Sequence, residues 1–201
     1  SGAQPDWGGV FPAIITNIDD PEKLARVKLK FPWLDDSLES NWARVVSLGS
    51  GSGRGFFMLP EVDDEVLVAF EHGNFNQPYV LGGLWNSKDK PPEDVVKNGK
   101  TEVRVMKSRE GHMIRLVDDP SGPMIEIVDS KKGTRIILNA QDNSLSIDSK
   151  GEVSIESKAK MKLKALSIDI EADTEVNIKG MTIKVDASAQ LDLKGGIVMI
   201  N

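Results

Sequence analysis

Residues 145–201 read LSIDSKGEVSIESKAKMKLKALSIDIEADTEVNIKGMTIKVDASAQLDLKGGIVMIN. An apolar–x–apolar pair recurs through this stretch: Leu145/Ile147, Val153/Ile155, Met161/Leu163, Ile168/Ile170, Val176/Ile178, Ile183/Val185, Leu191/Leu193 and Val198/Ile200. The steps between pairs are 8, 8, 7, 8, 7, 8 and 7 residues, and the segments between them are rich in Lys, Asp, Ser, Ala and Gly. Upstream the same pair returns at 11-residue steps, as Val103/Val105, Ile114/Leu116, Ile125/Ile127 and Ile136/Leu138. Disorder has no such period. Each unit reads as one short strand with two inward side chains and a polar turn.

The repeat is too short to close on itself. A single-chain β-solenoid commonly needs three strands per coil, so eight pairs would give fewer than three coils. A flat antiparallel meander would leave an apolar face in water and two bare edges. Three identical chains wound about one axis remove both difficulties, each contributing one side of a triangular prism. The expected trimer core is Val153, Ile155, Ile168, Ile170, Val176, Ile178, Ile183, Val185, Leu191 and Leu193. Lys158, Lys160, Lys162 and Lys164 then form an outward, hydrated stripe.

Composition divides the chain in two. All 11 aromatic residues lie between Trp7 and Trp85, and the last proline is Pro123. A long aromatic-free segment lacks the side chains that supply most buried area in a globular core. It suits a narrow structure instead. The net charge of −6 argues against nucleic acid or an anionic membrane surface as a bulk electrostatic partner. Cysteine is absent, which excludes disulfides and thiolate metal sites. No run approaches the ~18 apolar residues of a membrane-spanning helix, and no signal peptide is visible. The opening Ser1-Gly2 without an initiator Met reads as a processed product or an excised fragment.

Five β-rich runs precede residue 86: Val10–Thr16, Leu24–Phe31, Trp42–Leu48, Glu65–Glu71 and Tyr79–Leu84. Val27, Leu29 and Phe31 alternate with Lys28 and Lys30, and Val66, Val68 and Phe70 repeat the pattern, the period of a half-buried strand. Turn residues separate the runs, and no window carries a capped amphipathic helix. Five short strands in this space suit a small barrel of the oligonucleotide/oligosaccharide-binding (OB) type.

Three blocks of this half, residues 26–33 (RVKLKFPW), 54–73 (RGFFMLPEVDDEVLVAFEHG) and 77–86 (QPYVLGGLWN), resemble the OB domain of contractile-injection spike proteins. That family contains the VgrG proteins, phage baseplate protein V and the spikes of extracellular contractile injection systems. The resemblance covers roughly residues 8–90, with one departure at Asp63, where the family more often has Gly. It implies an all-β chain: a five-stranded OB-type barrel at 7–86, a connector at 87–100, and an intertwined trimeric triple-stranded β-helix needle at 101–201. It also implies a mechanical role, a needle driven into a target cell envelope by sheath contraction. Larger members carry hub domains N-terminal to the OB domain, so a baseplate hub or tube protein is an expected partner. Assembly is expected in the bacterial cytoplasm, followed by incorporation into a secreted or released particle.

The chain ends in Gly195, Gly196, Ile197, Val198, Met199, Ile200 and Asn201, an apolar finish. In a trimer, Ile197, Val198, Met199 and Ile200 would present a small apolar platform with unpaired strand edges. The family names the occupant, a PAAR-type cap protein. A bland reading is that Val198 and Ile200 only complete the last core rung.

Other groups point to no chemistry. The segment Gly49–Gly55 is glycine-rich but lacks the Gly-Lys-Ser/Thr ending of a phosphate loop, and a flexible barrel loop explains it. Glu61, Asp63, Asp64 and Glu65 fit a solvated turn better than an acid/base or Ca²⁺ site. His72 and His112 stand apart, without the His-x-His pair that holds a metal in some needle tips of the family. No catalytic residue, cofactor or metal site is expected, and no nucleic-acid partner. The competing reading is an OB domain that binds a glycan or nucleic acid, carried on a trimeric β-stalk.

Overall fold

A computed structural model describes residues 7–199 and divides the chain into two units, Ser1–Glu152 and Val153–Asn201. The first unit begins with β1 (Val10–Asn17), β2 (Lys28–Phe31), β3 (Asp35–Glu39), β4 (Arg44–Val45), β5 (Ser50–Gly51), β6 (Arg54–Gly55), β7 (Glu65–Phe70) and β8 (Pro78–Gly83). The principal sheet runs β3-β2-β1-β7-β8-β4, antiparallel except for the β4–β8 pair. Val27, just before β2, exchanges both backbone hydrogen bonds with Ala43, just before β4, at 2.9 and 2.7 Å. That bridge joins the ends of the sheet into a five-strand ring of β1, β2, β4, β8 and β7, with β3 as a hairpin extension.

Alternation places the core inside this ring. Ala13 and Ile15 of β1, Leu29 and Phe31 of β2, Val66, Val68 and Phe70 of β7 and Val80 of β8 are buried together. Their neighbours in each strand stay in contact with water, as a period of two requires. Trp7, Phe11 and Phe75 pack against this cluster, and Phe11 stacks on Trp33 with ring centroids 5.1 Å apart. The Trp33 indole N–H donates to the Pro12 carbonyl at 2.8 Å.

Two of the five expected strands are shorter than their sequence runs. Leu24–Arg26 is a loop because buried Asp20 accepts the backbone N–H groups of Glu22, Leu24 and Arg26. Lys23 and Ala25 hold left-handed φ values of 56° and 57°, which no strand accommodates. In Trp42–Leu48 only Arg44–Val45 pairs. Strand β3 pairs with β2 without any apolar alternation in its sequence, which lies outside the five β-rich runs. Asp63 adopts φ 75° in the turn before β7. The position where the family favours Gly is therefore a left-handed one, and Asp is among the residues that tolerate it.

The same unit continues with the hairpin β9 (Val96–Lys97) and β10 (Lys100–Thr101), turning at Asn98-Gly99, both at positive φ. A five-stranded antiparallel meander follows: β11 (Val103–Lys107), β12 (Met113–Val117), β13 (Met124–Val128), β14 (Thr134–Asn139) and β15 (Ser144–Ser149). Within a single chain, the four widely spaced pairs and Leu145/Ile147 thus form an antiparallel sheet in the first unit, which ends at Glu152. Left-handed residues at Gly111, Lys132 and Asn143 allow three of its reversals.

The second unit has no such residue. Past Asn143, no described residue holds positive φ. Without left-handed positions, two-residue hairpins do not form. The chain bends instead at regular places: 158–159, 166, 173–174, 181–182, 188–189 and 196. Those bends fall between the apolar pairs.

Candidate assembly interface

The described residues of the repeat, 153–199, form no buried core. Every described residue of 153–199 is exposed, and none makes a backbone–backbone hydrogen bond with another described residue. Exposure still follows the pair pattern. The first members (Val153, Met161, Ile168, Val176, Ile183, Leu191, Val198) are 50–56% exposed, and the second members (Ile155, Leu163, Ile170, Ile178, Val185, Leu193) 65–72%. The single chain sets each pair in the same posture and leaves it uncovered.

Unpaired backbone in a packed protein is costly, and apolar stripes of this length do not persist in water. Ten of these side chains are the expected trimer core, Val153, Ile155, Ile168, Ile170, Val176, Ile178, Ile183, Val185, Leu191 and Leu193. They recur in a regular series, and each is exposed in the single chain. Of the apolar terminus, Ile197 and Met199 are about 85% exposed and Val198 about half exposed. Ile200 lies outside the described residues.

The meander carries a second uncovered surface. Cross-strand register aligns Met106, Ile114, Ile127, Ile136 and Ile147 in one row, and Leu116, Ile125, Leu138 and Leu145 in the next. Most of these side chains are 40–65% exposed. The opposite face is satisfied within the chain: Arg115 donates to Glu93 at 2.9 and 3.0 Å and to Glu126 at 2.9 Å. These two carboxylates hold the Arg115 guanidinium above its ordinary pKa, with Glu93 the larger cause. Glu93 ties the connector to the sheet in this way. Sequence reading missed this cluster, because its members are 11 and 22 residues apart and share no motif.

The remaining polar groups are used in folding. Asp20, buried beside the barrel, accepts Arg26 Nε and Nη2 at 3.0 and 2.7 Å. The Arg26 side chain and three backbone N–H groups hold its carboxyl well below the usual range. Glu39 accepts Lys28 at 2.6 Å and Thr16 at 2.8 Å, and its carboxyl is likewise lowered. In the acidic turn, Glu61 pairs with Arg109 at 2.9 Å, Asp64 accepts the Glu61 backbone N–H, and Glu65 accepts Asn86 at 2.6 Å. The glycine-rich loop is the small hairpin β5–β6, in which a Cβ on Gly55 would lie 2.3 Å from the Gly49 carbonyl oxygen. His112 accepts the Ser130 backbone N–H through Nδ1 at 3.2 Å. Among the described residues no group of three or more His, Cys, Asp or Glu side chains is placed to hold a metal ion.

Comparison with known proteins agrees with the barrel. Residues 11–85 match the family described as the type VI secretion system/phage-baseplate injector OB domain. The type VI secretion system spike protein VgrG5 of Pseudomonas aeruginosa is 37% identical over 82 residues, which is 38% of this chain and 10% of that protein. VgrG2a of the same organism, also a type VI secretion system spike protein, is 31% identical over 75 residues, 35% of this chain and 9% of its own length. The actin cross-linking toxin VgrG1 of Vibrio cholerae is 35% identical over 71 residues, 33% of this chain and 6% of that protein. The matched region is therefore a small part of each of these relatives. Residues 11–85 are thus similar to the injector OB domain of type VI secretion systems and phage baseplates, and to the same region of these spike proteins.

Proposed function

We propose that the chain is the spike portion of a contractile injection apparatus and works as a homotrimer. The barrel at 7–86 is the collar, and the repeat, wound with two further copies into a triple-stranded β-helix, is the needle that perforates a target envelope. One observation carries this reading: the repeat from 153 presents a regular apolar series and a backbone with no backbone hydrogen-bond partner among the described residues. Stiffness is the working property. A continuous interchain ladder would supply it, and no proline after Pro123 interrupts that ladder.

The collar adjoins hub or tube proteins of the baseplate, and the assembly forms in the bacterial cytoplasm before joining a secreted or released particle. The chain acts mechanically and not as an enzyme. At the far end, Ile197, Val198, Met199 and Ile200 dock a PAAR-type cap. Relatives named as spike proteins support the role. Packing of Trp7, Phe11, Phe31, Phe70 and Phe75 into and against the barrel core removes those rings from any base-stacking platform.

Deleting residues 197–201 should leave the assembly intact and abolish capture of the cognate cap in a pull-down. Undiminished capture would refute the docking site. Saturable, salt-dependent binding of oligonucleotides, or binding of glycans, by the intact chain would favour the ligand-binding alternative.

A further inference from the structure

The outward charges of the repeat specify which strands of neighbouring copies lie side by side. From Val153/Ile155 to Leu191/Leu193 the residue one step past each apolar pair alternates in sign, as Glu156, Lys164, Glu171, Lys179, Asp186 and Lys194. Asp148, which follows Leu145/Ile147 in the sheet strand β15, is acidic like Glu156 and stands outside the series. Between pair members, Lys162 precedes Asp169 and Lys184 precedes Asp192; before the pairs, Glu152 precedes Lys160. Alternation along a strand puts these three positions on the face opposite the apolar pair. Among the described residues, none of the six charges in the first series has an ion-pair partner within the chain.

Consider the possible arrangements. If successive pairs lie parallel and adjacent, opposite charges meet in all three outward columns and like charges never do. If pairs two steps apart are adjacent, as in a single-chain solenoid of two strands per coil, Glu156 meets Glu171 and Lys164 meets Lys179. Glu171 then meets Asp186, and Lys179 meets Lys194. If each pair stacks on its own copy, every charge meets its own sign. Antiparallel neighbours would oppose Glu171 to Glu175 and Glu175 to Asp186. Like charges directly opposite destabilise a sheet, and opposite ones support it. Only the first arrangement is free of conflict.

The same arrangement excludes a single chain. Parallel neighbours in one chain need a crossover of about a dozen residues or more. Successive pairs here are joined by four or five, as from Ile155 to Met161 or from Leu163 to Ile168. The neighbour must come from another copy.

We propose that adjacent copies pair with an offset of one repeat, each apolar pair lying parallel beside the next pair of its neighbour. The column Glu156, Lys164, Glu171, Lys179, Asp186, Lys194 then runs as a continuous interchain ionic ladder. Strands about 4.8 Å apart bring these side chains within ion-pair reach. The ladder fixes register, which the similar apolar pairs cannot do alone, since a slip of one or two whole units would preserve the apolar core. The inference rests on the trimeric needle proposed above.

The test is Lys179→Glu in the full chain, with mass by light scattering and thermal melting in low and high salt. The offset of one places the introduced carboxylate between Glu171 and Asp186 of neighbouring copies. The trimer should melt several degrees lower, and the loss should shrink in about 1 M salt, where the Debye length is about 3 Å. Reversing the sign of all six positions together should restore the wild-type midpoint. A raised midpoint would indicate an offset of two, with Lys164 and Lys194 as neighbours, and an unchanged midpoint would indicate stacking in register; either overturns the proposal. A wild-type chain that is monomeric by mass overturns the trimer reading itself, and is read independently of the variant.

Discussion

Ile178→Asp separates a side chain that matters only in the assembly from one that matters in a single chain. Ile178 is 71% exposed in one chain, so a monomer has little to lose there, within about 0.5 kcal/mol for a surface change. In the trimer the exposed fraction would be covered. Full burial of an Ile contributes about 1.5–3 kcal/mol, so the uncovered share amounts to roughly 1–2 kcal/mol per chain and 3–6 kcal/mol per trimer. Three carboxylates converging on one dry cross-section add a desolvation cost of several kcal/mol each, or must protonate with a raised pKa. The expected result is loss of the trimer by light scattering, with the barrel still folded. All four Trp residues lie in the aromatic half of the chain, so tryptophan fluorescence follows the barrel alone. Asn177→Asp, on the outward face between Asp169 and Lys184 of neighbouring copies, should assemble with nearly unchanged stability. An Ile178→Asp trimer with a wild-type melting midpoint would refute the inward assignment.

Leu29→Ala, at a fully buried barrel position, should lower barrel stability by about 2–5 kcal/mol, read as a lower urea midpoint of tryptophan fluorescence. A shift equivalent to less than about 0.5 kcal/mol would contradict its place in the core. Asp20 has a depressed folded-state pKa, so its stabilisation is present above about pH 4, the ordinary carboxylate range, and is lost as pH falls through the lower folded value. Asp20→Asn should therefore be less stable than wild type at neutral pH, with the gap narrowing in acid. A gap independent of pH down to about 2.5 would show that the carboxylate charge is not what organises the loop.

The barrel strands with apolar alternation were legible because their pattern reports one buried face. Val66, Val68 and Phe70 announce β7, and Leu29 and Phe31 announce β2. Leu24–Arg26 misread as strand because nothing local shows that Asp20, several residues earlier, captures their amides. Strand β3 escaped because Asp35–Glu39 is a polar edge paired to one neighbour, with no apolar face to display. The 11-residue and 7–8-residue periods share the same apolar pair, so composition alone did not separate the meander from the repeat that follows Glu152. What separates them in one chain is backbone handedness at a few turn residues. Gly111 and Asn143 carry that signal in their chemistry, whereas Lys132 does not. Arg115, Glu93 and Glu126 come together only through the fold.

The mass of the purified chain in dilute solution decides whether the repeat completes itself or is completed by other copies. A particle of about three times 22.0 kDa, persisting on dilution, is the expected result. A folded particle of 22.0 kDa would contradict it, because the apolar series from Val153 to Val198 would then have no partner at all.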